Sequence, residues 1–343
     1  MRAVQYSEFG SVPAVVEVPR PDVPPHGVLV RVRATGVCRS DWHAWKAHDD
    51  SVTLPHVPGH EFAGEVAAVG ADVRRVAVGD RVTAPFIFAC GTCEQCRAGA
   101  TQVCTMQQQP GFDLAGSYAE FVAVPHADLN VVALPDAVGF AEAASLGCRF
   151  GTAYHALHEV GRVTAGEWVS VFGCGGVGLS TVQVAVAGGA HVVASDISPA
   201  ALERAAALGA ATVPMDAETV RAIRTLTGGG VHVSVDAFGS RATSVAAVGT
   251  LRPRGRHVQV GLLLGDEATP AIPMGRVIGD ELEILGSHGI GVREYAAMLD
   301  DVVAGRLRPA DSIGRTIGFD ELPEAILAMD RPAVGSGMTV ATF

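Results

Sequence analysis

Positive charge is scarce in this sequence, and features typical of nucleic-acid-binding, secreted or repeat-containing proteins are missing. Lys and Arg together number 25 among 343 residues against 36 Asp and Glu, which gives a formal net charge of −11 at pH 7. A nucleic-acid partner would favour a basic face, so we expect no such partner. No basic-then-apolar signal segment, internal repeat or low-complexity linker occurs. We therefore expect a cytoplasmic protein of two ordinary domains.

Charged residues are also absent from one long stretch, Trp168 to Ser195. Its length raises the question of a membrane span. Six glycines and His191 interrupt it, which a membrane helix would not favour. We interpret the stretch as a buried strand, a glycine turn and a buried helix, and we expect no contact with a membrane.

Cysteine is present in an odd number, seven, and four of these residues are crowded together. Cys90-x2-Cys93-x2-Cys96-x7-Cys104 is a poor disulfide framework, but four thiolates at such spacing can close a tetrahedral zinc site. Free structural cysteines, a redox pair or a DNA-binding zinc ribbon are the alternatives, and the acidic chain argues against the last. We predict a structural zinc.

A second set of metal-binding side chains lies upstream, at Cys38 and His60. Catalytic zinc typically has three protein ligands and one open position, so this pair lacks one ligand. Cys148 follows an Ala-rich helical stretch. A lone cysteine is more often a small buried hydrophobe, but here it is the candidate third ligand.

A glycine-rich turn stands between a predicted strand, Glu167 to Phe172, and an apolar helical run. It comprises Gly173, Cys174, Gly175, Gly176, Val177 and Gly178. Asp196 ends the next predicted strand, 18 positions after the last glycine. This context is that of a dinucleotide site, in which the backbone approaches the pyrophosphate at a helix N-terminus. A carboxylate at Asp196 would bind ribose hydroxyls and repel a 2′-phosphate, which favours NAD over NADP.

The predicted elements change character along the chain. The first part is β-rich and includes a strand over Val28–Val37. Helix-like and strand-like segments then alternate, which indicates a doubly wound parallel sheet. These segments are Ala200–Leu208, Ala217–Leu226, Val231–Asp236, Thr243–Leu251 and His257–Val260.

Taken together, these motifs resemble those of the zinc-dependent alcohol dehydrogenases of the medium-chain dehydrogenase/reductase superfamily. The resemblance rests on CRSDWH at 38–43, GHE at 59–61, the four-cysteine lobe at 90–104, GCRF at 147–150, GCGGVG at 173–178 and Asp196. It implies an α/β fold with a GroES-like catalytic domain over 1–150, a Rossmann NAD-binding domain over 151–284 and a return to the catalytic domain over 285–343. It also implies a homo-oligomer, a tetramer with a dimer as the alternative.

The resemblance assigns roles to individual residues. Cys38, His60 and Cys148 match the catalytic zinc ligands, so that two zinc ions per subunit are expected. Glu61 matches a carboxylate close to the metal, Asp41 the carboxylate that orients the histidine ligand, and Ser40 the hydroxyl that contacts the alcohol. The proton is expected to pass from Ser40 through the cofactor ribose to His43, in the same loop, at near-neutral pKa. Arg39, Val260 and the glycine turn match cofactor contacts.

The substrate is expected to be a small alcohol or aldehyde, and Phe86 and Trp45 are candidates for its pocket. Polyol and amino-alcohol dehydrogenases of the superfamily are the alternative, but they usually carry Glu where this chain has Cys148. A non-catalytic zinc-binding member is the second alternative. Two positions depart from the family pattern: Met338 replaces a pyrophosphate-binding Arg, and Ala201 replaces a Lys that follows the ribose-binding acid.

Overall fold

The computed structural model describes residues 1–331 and 337–343. Within this part of the chain two compact units can be distinguished. The first unit contains residues 1–151, 289–331 and 338–343, and the second contains residues 152–288 and Gly337.

The strands are named in chain order. They are β1 Arg2–Gln5, β2 Ala14–Glu17, β3 Val28–Val37, β4 Phe62–Val69, β5 Arg81–Thr83, β6 Phe121–Val124, β7 Val132–Ala133, β8 Trp168–Phe172, β9 His191–Asp196, β10 Ala211–Pro214, β11 Val231–Asp236, β12 Leu251–Gln259, β13 Glu283–Gly286, β14 Ile313–Gly318 and β15 Met338–Thr342.

The α-helices are named in the same way. They are α1 Arg39–Trp45, α2 Glu94–Arg97, α3 Ala127–Asn130, α4 Phe140–Ser145, α5 Gly151–His155, α6 Gly176–Ala187, α7 Pro199–Ala207, α8 Thr219–Leu226, α9 Arg241–Thr250, α10 Met274–Gly279, α11 Val292–Val303 and α12 Leu322–Leu327. Two π-helical turns, Leu146–Phe150 and Ala156–Val160, follow α4 and α5.

The first unit is built on a mixed sheet with the order β14-β15-β3-β4-β5-β7, in which β6 also pairs with β3. The long strand β3 is rich in Val, and its apolar side chains are buried while Arg31 is exposed. Because successive side chains of a strand point to opposite faces, the consecutive buried residues at both ends of β3 show that both faces are covered there. Phe62 and Phe88 complete this core beside the valines of β3 and β4.

The second unit contains a six-stranded parallel sheet with the order β10-β9-β8-β11-β12-β13. The order changes direction at β8, so that the segments after β8 and β11 leave the same edge of the sheet. Ligands of open parallel sheets bind at such a point, beyond the carboxyl ends of the strands.

The uncharged stretch from Trp168 folds within this sheet as β8, a glycine turn, α6 and most of β9. No helix in the described part of the chain combines the length and apolarity that a bilayer crossing requires.

One element differs from its prediction in a way that matters for the site. The segment after Cys38, expected to be a loop, is the helix α1. Cys38 stands at the N-cap with extended backbone, and its N–H donates to Asp41 Oδ2 at 3.0 Å. A carboxylate at the third helical position compensates for the absence of the Ser, Thr, Asp or Asn that usually marks a helix start.

Candidate active site

Helix α1 places two of the expected catalytic side chains one turn apart. Ser40 and His43 are three positions apart, which puts them on the same face of the helix. Ser40 Oγ lies 3.7 Å from Cys38 Sγ. The hydroxyl is therefore beside a thiol of the metal-binding set, and the imidazole stands one turn further along the helix.

Cys38, His60 and Cys148 come together although they are far apart in sequence. One ligand atom from each lies within 4.8 Å of the others. Cys38 and His60 are buried, and Cys148 is half-buried. Cys148 stands in the π-helical turn Leu146–Phe150, and such turns frequently occur at functional sites because they redirect side chains.

Asp41 fixes the orientation of His60. Its Oδ1 lies 2.9 Å from His60 Nδ1 and accepts the N–H of Gly59 at 3.1 Å. The hydroxyl of Tyr118 donates to Oδ2 at 2.9 Å. Burial by itself lowers the pKa of His60, but the Asp41 carboxylate and Cys38 raise it well above its usual value.

These three residues fit a zinc ion. With Nδ1 engaged by Asp41, the remaining ring nitrogen of His60, Nε2, is buried and has no hydrogen-bond partner within the described residues. A buried nitrogen without a partner is costly, and a cation would relieve that cost. A hydrogen bond with Cys148 lowers the pKa of Cys38, while the same contact raises that of Cys148. Two thiols and one imidazole are ligands that zinc prefers.

Glu61 does not point a free carboxylate at this site. Its Oε1 accepts the N–H groups of Cys148 at 3.2 Å and Arg149 at 3.1 Å, and Oε2 pairs with the Arg149 guanidinium. Burial raises the pKa of Glu61 even though Arg149 opposes the shift. Arg149 lies within the GCRF motif, but its contact with Glu61 gives no signal in the sequence.

Two aromatic rings flank His60. The ring centroid of Phe86 lies 6.0 Å from that of His60, and the centroid of Phe112 lies 5.6 Å away. Phe112 is a neighbour that the sequence analysis missed. Trp45 is 2% exposed, belongs to a hydrophobic cluster of the first unit and donates its indole N–H to Ser11 O. These contacts support a packing role for Trp45, and its place in a substrate pocket stays a prediction.

His43 differs from its expected acid–base character. Burial, followed by the charges of His48 and Arg39, lowers the pKa of His43 to about 4 rather than leaving it near neutral. Nδ1 of His43 lies 3.0 Å from Nδ1 of His48. Arg39 stacks on Trp42, with the guanidinium carbon 4.1 Å from the ring centroid, and donates to Met329 O.

The four-cysteine lobe forms the second metal-binding cluster of the first unit. Sγ atoms of Cys90, Cys93, Cys96 and Cys104 lie within 4.8 Å of one another. Backbone N–H groups donate to these sulfurs, for example from Cys90 to Cys104 Sγ at 3.3 Å. All seven cysteines are free thiols. The lobe therefore offers four sulfur ligands, which fits a closed zinc site.

The glycine turn of the second unit has space for a ligand. Gly173 has a left-handed φ of +86°, and a Cβ on Gly178 would lie 1.8 Å from Gly173 O. A Cβ on Gly175 would meet no described atom within 4 Å. The turn thus packs tightly against its own unit at Gly178 and is open at Gly175, just before the N-terminus of α6. This combination fits a pyrophosphate.

Asp196 ends β9 beside this turn. Its carboxylate accepts the N–H of Cys174 at 2.6 Å and that of Ser198 at 2.8 Å. Val260 follows β12 at the same carboxyl edge of the sheet, where its N–H donates to Asp236 O. Of the two positions that depart from the family pattern, Ala201 lies buried in α7 and Met338 is the buried first residue of β15.

Comparison with known proteins identifies related domains over most of the chain. Residues 24–136 match the model of the alcohol dehydrogenase GroES-like domain, and residues 176–304 match the model of zinc-binding dehydrogenases.

Individual relatives cover nearly the whole chain. An alcohol dehydrogenase of Geobacillus stearothermophilus is 39% identical over 300 residues, which cover 86% of this chain and 86% of its own. An L-threonine 3-dehydrogenase of Rhizobium johnstonii is 32% identical over 321 residues, covering 91% and 90%. The crystal structure of an NAD-dependent alcohol dehydrogenase covers 100% of both chains at 31% identity with a TM-score of 0.91.

Proposed function

The chain belongs to the zinc-dependent alcohol dehydrogenases of the medium-chain dehydrogenase/reductase superfamily, and from this premise we propose that it oxidises an alcohol reversibly to an aldehyde or ketone, with NAD as hydride acceptor. The observation that carries the proposal is the buried group of Cys38, His60 and Cys148, whose ligand atoms lie within 4.8 Å. No fourth Cys, His, Asp or Glu of the described residues joins this group, in contrast to the four-cysteine lobe. Three protein ligands are typical of a catalytic zinc.

The residues around this group have separate tasks. A zinc ion bound there would polarise the alcohol oxygen as a Lewis acid. Asp41 holds His60 in the tautomer that leaves Nε2 for the metal, and it is itself fixed by Tyr118. Such outer partners orient metal ligands and tune their basicity. Glu61 and Arg149 hold the turn that carries Cys148.

Two residues of α1, Ser40 and His43, take part in removing the proton of the alcohol. Ser40 Oγ, close to Cys38 Sγ, forms a hydrogen bond with the alcohol hydroxyl and orients it. His43, on the same face of the helix, serves as the proton acceptor. Its low pKa keeps the imidazole neutral at physiological pH and makes it a weak base, so that it relays a proton rather than retaining it.

The cofactor is held by the second unit. A bound NAD supplies the nicotinamide that accepts the hydride. The open turn at Gly175 and the N-terminus of α6 bind its pyrophosphate, and Asp196 binds the ribose hydroxyls. A negative charge at Asp196 disfavours the extra phosphate of NADP, and this supports NAD. Arg39, Val260, Gly173, Gly176, Val177 and Gly178 complete the proposed cofactor contacts.

Several finer properties belong to the same proposal. The two cysteine-containing clusters support two zinc ions per subunit, one catalytic and one structural. The resemblance to bacterial family members supports a homo-oligomer, with a tetramer favoured over a dimer. The acidic composition and the lack of a membrane-compatible helix among the described residues support a cytoplasmic location.

The function is tested by NAD reduction with primary, secondary and aromatic alcohols. We expect NADH to form with at least one of them and NADPH formation to be slower under the same conditions. Absence of reduction with every alcohol, in protein shown to contain two zinc ions per subunit, would contradict the proposal.

Amino-alcohol oxidation is the second candidate, since L-threonine 3-dehydrogenases are among the relatives. The thiolate of Cys148 favours the alcohol dehydrogenase branch, because the polyol and amino-alcohol enzymes usually have Glu there. Including L-threonine and a polyol in the same panel separates the two. A kcat/KM for L-threonine above that of every simple alcohol would reverse the order of the candidates.

A further inference from the structure

The chain turns back towards His43 just after helix α1 ends. Ala47 follows the helix with a left-handed φ of +58°, and the N–H of His48 donates to His43 O at 2.9 Å. This is the geometry of a helix C-terminal motif that is usually closed by glycine. It brings the exposed residue His48 next to His43, which precedes it by five residues in the sequence.

The side chains of the two histidines are joined as well. Their Nδ1 atoms are 3.0 Å apart, and their ring centroids are 5.3 Å apart. A hydrogen bond between two Nδ1 atoms requires one ring to donate and the other to accept. Because Nδ1 is used in this bond, Nε2 of His43 is the nitrogen that can take up a further proton.

The surroundings hold the pair in position. The indole of Trp42 packs edge-on against both imidazoles, with ring centroids 5.0 Å from His43 and 5.5 Å from His48. Trp42 is fixed in turn by its N–H, which donates to Asp330 at 2.7 Å, and Lys46 pairs with the same carboxylate.

The two histidines differ in their surroundings, and this difference favours movement of a proton from His43 towards His48. His43 is half-buried, whereas His48 is exposed. The charged or titratable groups that act on His43 are His48, Arg39 and Cys38, and burial has a larger effect than any of them. Burial, His48 and Arg39 disfavour a proton on His43 and outweigh Cys38, which favours one, so a proton taken up there is passed on.

We propose that His48 is the solvent end of the proton path and receives, through the Nδ1–Nδ1 hydrogen bond, the proton that His43 takes up. The proposal rests on the proposed alcohol oxidation, which releases one proton for each hydride transferred. His43 accepts this proton at Nε2 and gives the proton on its Nδ1 to His48 Nδ1. His48 then releases its Nε2 proton to water, and exchange with solvent restores the starting tautomers.

The matched variants are His48→Gln and His26→Gln. His26 is also exposed and also packs against another histidine, His126, with ring centroids 4.2 Å apart, but it has no place in the proposed site. Both substitutions remove an exposed imidazole from the first unit. His48→Ala is a third variant that removes the hydrogen-bonding capacity as well.

Proton release is followed with a pH indicator by stopped flow, at low buffer concentration, with NAD and the best alcohol of the panel. An outer member of a path should matter less than a direct general base, so we expect proton release in both His48 variants to slow by about tenfold. Raising the concentration of HEPES should restore the rate. His26→Gln should behave as wild type, and melting temperature and zinc content should be equal in all four proteins.

A second readout does not depend on turnover. The histidine pKa values are followed by NMR of the imidazole nitrogens, without substrate or NAD. Removal of the neighbouring imidazole should raise the pKa of His43 in His48→Ala from about 4, while His26→Gln should leave it unchanged.

The outcomes are distinguishable. Wild-type turnover together with unchanged proton release in both His48 variants would overturn the role of His48 alone. An unchanged pKa of His43 in His48→Ala would overturn the coupling on which that role depends. Failure of the wild type to oxidise any substrate would overturn the proposed function and the path with it.

Discussion

Two buried carboxylates hold the three candidate ligands in place. Asp41 fixes the ring of His60, and Glu61 accepts N–H groups from the turn that carries Cys148. Neither carboxylate is exposed, and each is satisfied by several donors. Because buried charges are stable only with such partners, removing a single donor or carboxylate should have a large effect.

Arg149 is the first test of this dependence. Arg149→Met leaves Glu61, which is 0% exposed, without its ion-pair partner, and we expect a loss of about 3–5 kcal/mol in the free energy of unfolding. The control is Arg162→Met, whose pair with Glu283 is about half-exposed on both sides and should contribute less than about 1 kcal/mol. Urea unfolding of both variants measures the difference, and equal midpoints would contradict it.

Asp41 is the second test, and its readout is metal affinity. Asp41→Asn removes the negative charge that orients His60, and loss of such a partner should weaken zinc binding at the three-ligand site about 10–100-fold. The affinity is measured by competition with a chelator. Asp113→Asn is the control, because this exposed carboxylate accepts only the N–H of Gln109 within the described residues. Similar zinc retention in both variants would argue against the role of Asp41.

The low pKa of His43 gives a third test. A histidine with a pKa of about 4 is neutral at every pH from 6 to 9, so its capacity to accept a proton does not decline as the pH falls through 7. His43→Ala should therefore lower kcat/KM by a constant factor over this range. A loss that became smaller as the pH fell below 7 would contradict this, because it would indicate the near-neutral pKa expected from the sequence, with a wild-type imidazole that is protonated and unable to accept a proton at low pH.

At the scale of secondary-structure elements, two glycines at the start of α6 have different roles: Gly178 allows tight packing, and Gly175 leaves space for the cofactor. Gly178→Ala places a Cβ against Gly173 O, and overpacking of this kind costs about 1–3 kcal/mol. Gly175→Ala meets no described atom, so its melting temperature should remain at the wild-type value. NAD affinity should nevertheless fall about tenfold, equivalent to about 1.4 kcal/mol, because the added methyl group fills the space proposed for the pyrophosphate.

Thermal melting and NAD titration of the two variants test this separation. A wild-type affinity for NAD in Gly175→Ala would place the pyrophosphate elsewhere. A wild-type melting temperature in Gly178→Ala would contradict the tight packing between the turn and α6.

The elements also show what a sequence can predict. β3 and β11 have the bounds that their alternating or continuous apolar residues indicate. Helix α1 was missed because it has only seven residues and begins with a cysteine. β13 was missed because three of its four residues are exposed, which leaves no hydrophobic pattern. Tyr118 and Phe112 contact the site from distant positions, and no spacing rule connects them to it. Arg149 is next to Cys148, but its pairing with Glu61, 88 residues earlier, follows from no sequence pattern.

At the scale of the whole molecule, the fold class predicted from the motifs is confirmed. The GroES-like and zinc-binding dehydrogenase models match, and the related crystal structure aligns over the full chain. Motifs succeed at this level because several of them occur in one order. Domain boundaries, by contrast, depend on where packing changes. The second unit extends to His288, and the predicted limit of 284 stays an expectation.

The zinc content per subunit, measured together with NADH formation in the same samples, tests the catalytic zinc site most directly. The proteins are wild type, Cys148→Ala and Cys174→Ala, the last being a buried cysteine outside both clusters. We predict two zinc ions in wild type and in Cys174→Ala, and one zinc ion without alcohol-dependent NADH formation in Cys148→Ala. One zinc ion in wild type, unchanged in Cys148→Ala, would mean that only the four-cysteine lobe binds metal and would contradict the catalytic assignment of Cys38, His60 and Cys148.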